Sequence, residues 1–308
     1  MENTPAISVE AASRPTPAVA AEKPLALSAF ILTRNEERNL EECLETLAGW
    51  CSDIHLVDSY STDRTLEIAR QYGLQIHQHA FEGHTKQRTW ALRNLPFQNE
   101  WVLALDADHR VTPELREEFK RVFRNPPQGV DGFYVKRRQI FRGRWIRHGG
   151  FYKYQLKIFK HALAFLDDNE FDYRFYVNGK TAKLRHDILE SNQNEWQITF
   201  FIEKHNKFAS ELAEEETRRA RGELGYLTKL TPFGNPDQRT LWLKERWNAM
   251  PLYFRPFALF FYRYFLRLGF LDGKQGFIFH FMQGLWCRLL IDIRREELRA
   301  GQKPRARA

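Results

Sequence analysis

The sequence predicts an α/β fold: a mainly parallel sheet with helices on both faces, followed by an aromatic-rich helical segment. Three observations predict it. Short apolar runs in the first half alternate with helical patterns of about a dozen residues, which indicates right-handed βαβ units. Three of those runs end in polar groups, at Thr33-Arg34-Asn35-Glu36, Asp58-Ser59 and Asp106-Ala107-Asp108. Ligands of such sheets bind beyond the carboxyl ends of the strands. Beyond Pro251 the chain changes character, to closely spaced Phe, Tyr and Arg.

Leu25 to Thr33 reads as the first buried strand. Asn35 is placed to cap the next helix, with Glu36 and Glu37 in its first turn and Leu40, Cys43, Leu44 and Leu47 at helical spacing. Asp53 to Val57 forms a second strand, ending at Asp58. Ser61 or Thr62 caps a helix that runs to about Tyr72, and Leu74 to His77 gives the third strand. A helix covers His84 to Asn94, Trp101 to Leu105 is the fourth strand, and Pro113 opens the following helix. Residues 196–221 form a charged helix with a stripe of Phe200, Phe201, His205, Phe208 and Leu212.

Residues 1–24, rich in Ala, Pro, Ser and Glu, read as a disordered tail without a signal peptide's apolar run. The α/β domain spans 25–221, a linker 222–250, an amphipathic helical membrane-associating segment 251–296, and a basic tail 297–308. Cys43, Cys51 and Cys287 lack metal-ligand spacing and read as reduced thiols of a cytosolic protein. A net charge of +8 points to a polyanionic partner: nucleic acid, anionic lipid or a phosphorylated substrate. No G-x-G-x-x-G follows the first strand and no P-loop occurs, which disfavours a nicotinamide dehydrogenase and a P-loop ATPase.

Asp106 and Asp108 stand one residue apart where a buried strand opens into a loop. Carboxylates so placed suit Mg²⁺ or Mn²⁺, which bind through one or two carboxylates plus substrate phosphates. Around them, Phe30-Ile-Leu-Thr-Arg-Asn-Glu-Glu37, Val57-Asp-Ser-Tyr-Ser-Thr-Asp63, Gln87 with Ala91-Leu92, and Trp101-Val-Leu-Ala-Leu-Asp-Ala-Asp108 resemble the family 2 glycosyltransferases. Gly143-Arg-Trp-Ile-Arg-His-Gly-Gly150 and Tyr154-Gln-Leu-Lys-Ile-Phe159 resemble that family's lipopolysaccharide-core and exopolysaccharide branch. The likeness covers residues 26–210 in order, with a weaker echo at Leu268-Gly-Phe-Leu-Asp-Gly273.

The resemblance implies a GT-A fold with a Rossmann-like nucleotide-binding half. It implies that Thr33, Asn35 and Glu36 line the nucleotide, and that Asp58 accepts a hydrogen bond from its base or ribose. Gln87, Arg88 and Thr89 stand where the family has Gln-Lys-Asn, so Arg88 keeps a positive charge for a phosphate. Asp106 approaches the ribose or the metal, Asp108 binds the metal, and His109 replaces a common Glu. Arg144, Arg147 and His148 meet a diphosphate or an anionic acceptor. Asp168, Glu170 and Asp172 are the candidates for the base of an inverting transfer. His186 is a possible metal or phosphate ligand, although Glu190 occupies the register of the family's histidine.

The implied activity is metal-dependent, inverting transfer of a sugar from a nucleotide-diphosphate sugar to a glycan or lipid-linked acceptor, in bacterial envelope polysaccharide biosynthesis. UDP is favoured by family habit. The alternatives are a nucleotidyltransferase or a basic nucleic-acid-binding protein; on the favoured reading no nucleic acid is expected. The segment 251–296 is either a pair of interfacial helices, with aromatics among acyl chains and arginines at phosphates, or a hairpin packed on the domain. The first option places the chain in the cytoplasm, peripheral on the inner face of the cytoplasmic membrane.

Overall fold

The computed structural model describes residues 24–167 and 173–300. In chain order the first half comprises β1 (Leu27–Thr33), α1 (Leu40–Glu45), β2 (Asp53–Asp58), α2 (Thr65–Gln71), β3 (Gln75–Gln78), α3 (His84–Asn94), β4 (Trp101–Asp106), β5 (His109–Val111) and α4 (Pro113–Arg124). Then come β6 (Gly132–Phe141), β7 (Arg144–Trp145), β8 (Lys153–Lys160), β9 (Ala164–Leu166), β10 (Phe175–Val177), β11 (Thr181–Ser191) and α5 (Ile198–Ala220). Helices α6 (Pro236–Asn248), α7 (Phe254–Phe261), α8 (Gly273–Phe279) and α9 (Cys287–Ala300) complete the chain.

The main sheet has nine strands, in the order β3-β2-β1-β4-β8-β6-β11-β5 with β7 beside β6. Its first four strands are parallel, as the βαβ reading requires. Beyond β4 the pairing is mixed: β8 runs antiparallel to both neighbours, β6 and β11 pair in parallel, and β11 and β5 antiparallel. β1, β2 and β4 carry buried apolar residues on both faces, whereas β3 is a polar edge strand. Leu27, Ala29 and Ile31 pack with Leu40, Leu44 and Phe119 on one side, while Phe30 packs with Ala91 and Phe159 on the other. Helices on both faces follow from that double burial.

Two expected caps fall elsewhere. Asn35 adopts a left-handed conformation (φ 57°), so the helix begins only at Leu40. Ahead of α2, the acceptor for the Thr65 N–H (3.0 Å) is Asp63 rather than Ser61 or Thr62. Part of the expected linker is helical: Asn235 and Gln238 form a reciprocal capping box and Pro236 sits in the first turn, conditions that start α6. Of the two expected tails, residues 1–23 and 301–308 lie outside the described residues, and 297–300 belong to α9.

The carboxyl-terminal helices are broken rather than continuous. α7 runs into a π-helical stretch, Tyr262–Leu266, and α8 into another, His280–Trp286. None of the described helices is long and apolar enough to cross a membrane. Phe254, Phe257, Phe261, Phe265, Phe270 and Phe277 are all exposed on this segment. α9 packs on α5 through Cys287, Ile291, Ala209 and Leu212. Phe279 meets Phe141, Ile146 and Phe201, which ties the segment to the loop after β6.

A buried ion network closes this unit. Arg255, 2% exposed, donates from Nε to Asp292 (2.7 Å) and from Nη2 to Glu216 (2.8 Å), and Arg295 also reaches Glu216 (2.7 Å). Arg255 is thus a core residue joining α5, α7 and α9, not one of the arginines that interfacial helices would hold at lipid phosphates. Removing one partner from such a network strands the opposite charge. Arg255→Ala is therefore expected to lower unfolding free energy by about 3–5 kcal/mol in urea titrations, whereas Arg267→Ala, at an exposed position, should leave it nearly unchanged.

Candidate active site

Strand register brings three polar ends together. Thr33 pairs with Asp58, and Leu32 with Asp106. The loops after β1 and β2 are then stitched to each other. Asn35 N–H donates to Ser61 Oγ (2.9 Å), Thr62 N–H to Asn35 Oδ1 (2.8 Å) and Glu36 N–H to Thr65 Oγ1 (2.8 Å). Asp58 has no exposed surface. Its carboxylate accepts from Thr33 Oγ1 (3.0 Å), Ser61 N–H (2.9 Å) and Ser61 Oγ (2.5 Å), so here it holds the 58–62 turn instead of facing a ligand. Gln87 is likewise committed, to His79 Nδ1 (2.7 Å) and Ser59 Oγ (3.1 Å).

Asp106 lies between two cations. Arg88, buried on α3, pairs directly with its Oδ1, and Lys157 of β8 approaches its Oδ2 at 3.4 Å. Burial opposes ionisation, but Arg88 and then Lys157 outweigh it and hold the Asp106 carboxyl well below its usual range. Tyr173 supports the arginine from behind, its ring centroid 3.9 Å from the Arg88 Cζ. A phosphate role for Arg88 thus competes with an ion pair already made.

Asp108 meets the opposite environment. Burial and the nearby Glu190 carboxylate raise its pKa. Glu190 is half-buried, yet Arg137 (2.5 Å) and His109 (3.4 Å) hold it down at about 2. Both residues arrive from the far half of the sheet, since Glu190 sits opposite His109 and beside Gln139. Glu36 adds a further acid: burial and Asp108 push it up to about 7, while Asn39 donates to it at 2.7 Å.

His109 is buried rather than exposed. Its Nδ1 accepts the Asp106 N–H at 3.0 Å, which leaves the ring proton on Nε2. That nitrogen faces Asp106, Asp108 and Glu190 at 3.7, 3.9 and 3.4 Å. Asp106, Asp108 and His109 lie within 4.8 Å of one another, close enough to share a cation, and with the ring proton on Nε2 the two carboxylates are the lone-pair donors. His186 does not join them; its backbone N–H is bound by Glu118 (3.0 Å), at the irregular point of the β11 pairing. Arg147 is exposed, 5.4 Å from the Trp145 ring, and makes no ion pair among the described residues.

Asp168, Glu170 and Asp172 lie outside the described residues. Lys204 of α5 is a site residue the sequence did not disclose. It pairs with Glu195 (2.5 Å), and Glu195 and Asp108 outweigh burial to raise its pKa. Its place on a charged helix, outside the aromatic stripe, carried no chemical signal. Beside the acids opens a cleft of about 280 Å³, lined by Arg137, Lys153, Tyr154, Lys157, Tyr173 and Arg174. Arg137 and Lys157 face both cleft and acids.

Residues 28–204 match the family described as Glycosyl transferase family 2. An uncharacterized glycosyltransferase of Rickettsia bellii is 31% identical over 102 residues, 33% of this chain and 34% of its own length. The lipopolysaccharide core biosynthesis glycosyltransferase LpsC of Rhizobium meliloti is 33% identical over 124 residues, 39% of this chain and 44% of its own. The aligned part thus spans between a third and a half of these relatives. Among solved structures, a mannosyltransferase from Pyrobaculum calidifontis in complex with GDP-Man and Mn²⁺ is 16% identical over 92% of this chain and 89% of that one, with a TM-score of 0.47.

Glu36 offers a test of the electrostatics. Because its folded pKa is raised, the folded chain keeps a proton that the unfolded chain has lost. Stability from this group is complete below pH 4.5 and disappears as pH rises towards 7. Glu36→Gln in metal-free buffer should therefore gain stability over the parent as pH rises through that window, by about 1–3 kcal/mol after solvent screening. Melting curves across the window would refute this if the two proteins ran parallel.

Proposed function

Since the chain belongs to glycosyl transferase family 2, we propose that it transfers a sugar, with inversion, from a nucleotide-diphosphate sugar to a glycan or lipid-linked acceptor. The observation that carries this reading is the acid cluster at the carboxyl ends of parallel strands, with cations on every side. Its donor set, carboxylate oxygens crowded until Asp108 resists ionising, fits a hard divalent cation such as Mg²⁺ or Mn²⁺. Asp108 and Asp106 would hold it. Bound there, the cation would act as a Lewis acid for the charge that develops on the departing diphosphate.

The protein's own groups divide the remaining work. Thr33, Asn35 and Glu36 line the nucleotide loop, and Asp58 fixes its turn. Arg88 and Lys157 keep Asp106 ionised over the whole working range. Lys204 and Arg137 present positive charge towards the acids from opposite elements, where they can follow charge moving onto the leaving group. The base that takes the acceptor's proton is assigned to Asp168, Glu170 or Asp172. Tyr173, the next described residue after them, lines the cleft and packs on Arg88.

UDP is the first nucleotide to test. The likeness to a lipopolysaccharide core enzyme supports a role in bacterial envelope polysaccharide assembly. The exposed aromatics of 254–277 support contact with the cytoplasmic membrane surface, where a lipid-linked acceptor would be met.

Calorimetry with UDP, GDP, ADP and CMP, each with and without Mn²⁺, tests the donor. One nucleotide should bind only with metal, and Asp108→Asn should abolish that binding. Lys204→Met should weaken it about tenfold. Failure of every nucleotide to bind the folded parent would end this reading. Full-length protein should also float with phosphatidylcholine vesicles, and the double variant Phe257→Ser/Phe261→Ser should stay at the bottom of the gradient; a parent that does not float refutes membrane contact.

A further inference from the structure

Helix α1 starts from an asparagine that does not cap it. Asn39 holds the N-cap position, where a short polar side chain normally accepts an N–H of the first turn, yet its side chain makes no such bond. The residue has no exposed surface, and its carboxamide is spent on other parts of the chain. Nδ2 donates to Glu36 Oε2 (2.7 Å) and to Asn192 Oδ1 (3.2 Å), while Oδ1 accepts the Gln193 N–H (2.9 Å). A local rule set aside in the core, with the bonds made elsewhere, points to a constraint beyond the helix itself.

Both pieces that Asn39 joins belong to the acid site. Glu36 lies on the loop after β1. Asn192 and Gln193 follow β11, whose last residue, Ser191, donates its N–H to the Asp108 carbonyl (2.9 Å). Asn192 Oδ1 also accepts the Asn194 N–H (3.0 Å), and the Asn192 carbonyl accepts the Glu195 N–H (3.2 Å), so these residues form one tight turn. Glu195, in that turn, holds Lys204 at 2.5 Å. Against burial, the Lys204 charge favours the ionised forms of Asp108 and Glu36. A second tie across the junction, from Gln193 Nε2 to Glu42 (2.6 Å), lies at an exposed carboxylate.

We propose that Asn39 is a positioning residue of the donor site: it clasps the Glu36 carboxylate to the turn after β11, and so sets where Lys204 stands relative to Asp108. The role in donor binding rests on the glycosyltransferase reading; the clasp stands on the bonds alone. Its chemistry requires a carboxamide, which donates and accepts from one flat group. Aspartate has the same shape and can still accept the Gln193 N–H. It has no N–H for Glu36 or Asn192, and it sets a second carboxylate against Glu36. Alanine leaves the Gln193 N–H without its acceptor.

Two measurements on full-length protein test this: calorimetry of UDP with Mn²⁺, and amide hydrogen exchange without ligand. Asn39→Ala should weaken UDP binding about tenfold, and Asn39→Asp should do the same although the side-chain shape is kept. Added to Lys204→Met, Asn39→Ala should weaken it by less than about twofold, because the cation that it places is gone. Without ligand, Asn39→Ala should speed exchange of the Gln193 and Asn194 amides about tenfold and leave those of β1 as slow as in the parent. Full additivity with Lys204→Met, or exchange that rises everywhere alike, would make Asn39 merely structural and overturn the proposal. Unchanged exchange at Gln193 and Asn194 would remove the clasp itself. A parent that binds no nucleotide would end the donor reading, while the exchange rates would still decide the clasp.

Discussion

The ion pair between Arg88 and Asp106 is the constraint on which the rest of the site depends. Asp106, Asp108, Glu190 and Glu36 converge on one mouth of the sheet, and unscreened carboxylates so close would repel one another or take up protons. Arg88 and Lys157 settle Asp106 as an anion, and Arg137 does the same for Glu190. Repulsion is thereby concentrated on Asp108 and Glu36, the two whose pKa values rise. These are the positions where a dication would relieve the most strain. The cations come from α3, β8 and β6, so the antiparallel half of the sheet is as necessary to the acids as the parallel half that bears them.

What the sequence disclosed follows from how local each signal is. β1, β2 and β4 were legible because their apolar runs are buried on both faces, and α3 because its boundaries coincide with its pattern. Asp106 and Asp108 were legible because chemistry and strand end coincide within three residues. Asn35 misled because a polar residue before acidic ones reads as a cap, whereas its carboxamide serves the neighbouring loop. His109, Arg137, Glu190 and Lys204 were obscure for another reason. Their meaning depends on pairings some tens of residues away, and β11 contains an irregularity between Lys183 and Asp187 that breaks simple counting along the strand towards Glu190.

Arginines of the last segment show the same limit. Spacing alone groups Arg255, Arg263 and Arg267 as one basic face. In the fold they separate into a core residue with two carboxylate partners, a half-buried cation over the Phe151 ring, and a surface residue bonded to Tyr262 (3.4 Å). Burying a charge is tolerable when partners are built in.

The fit of Gly149 against His280 has a consequence for inheritance. The loop is left-handed at that glycine (φ 76°), and no side chain can be accommodated there while the imidazole keeps its place. Asp272 meanwhile binds His148 through both backbone and ring. Loop 142–152 and residues 268–280 are thus one mechanical part made from two distant pieces of chain. Exchanging the carboxyl-terminal helices between relatives, as a way of changing acceptor, would succeed only when the loop travels with them. The two stretches should therefore diverge in concert, even though the family match ends at residue 204, between them.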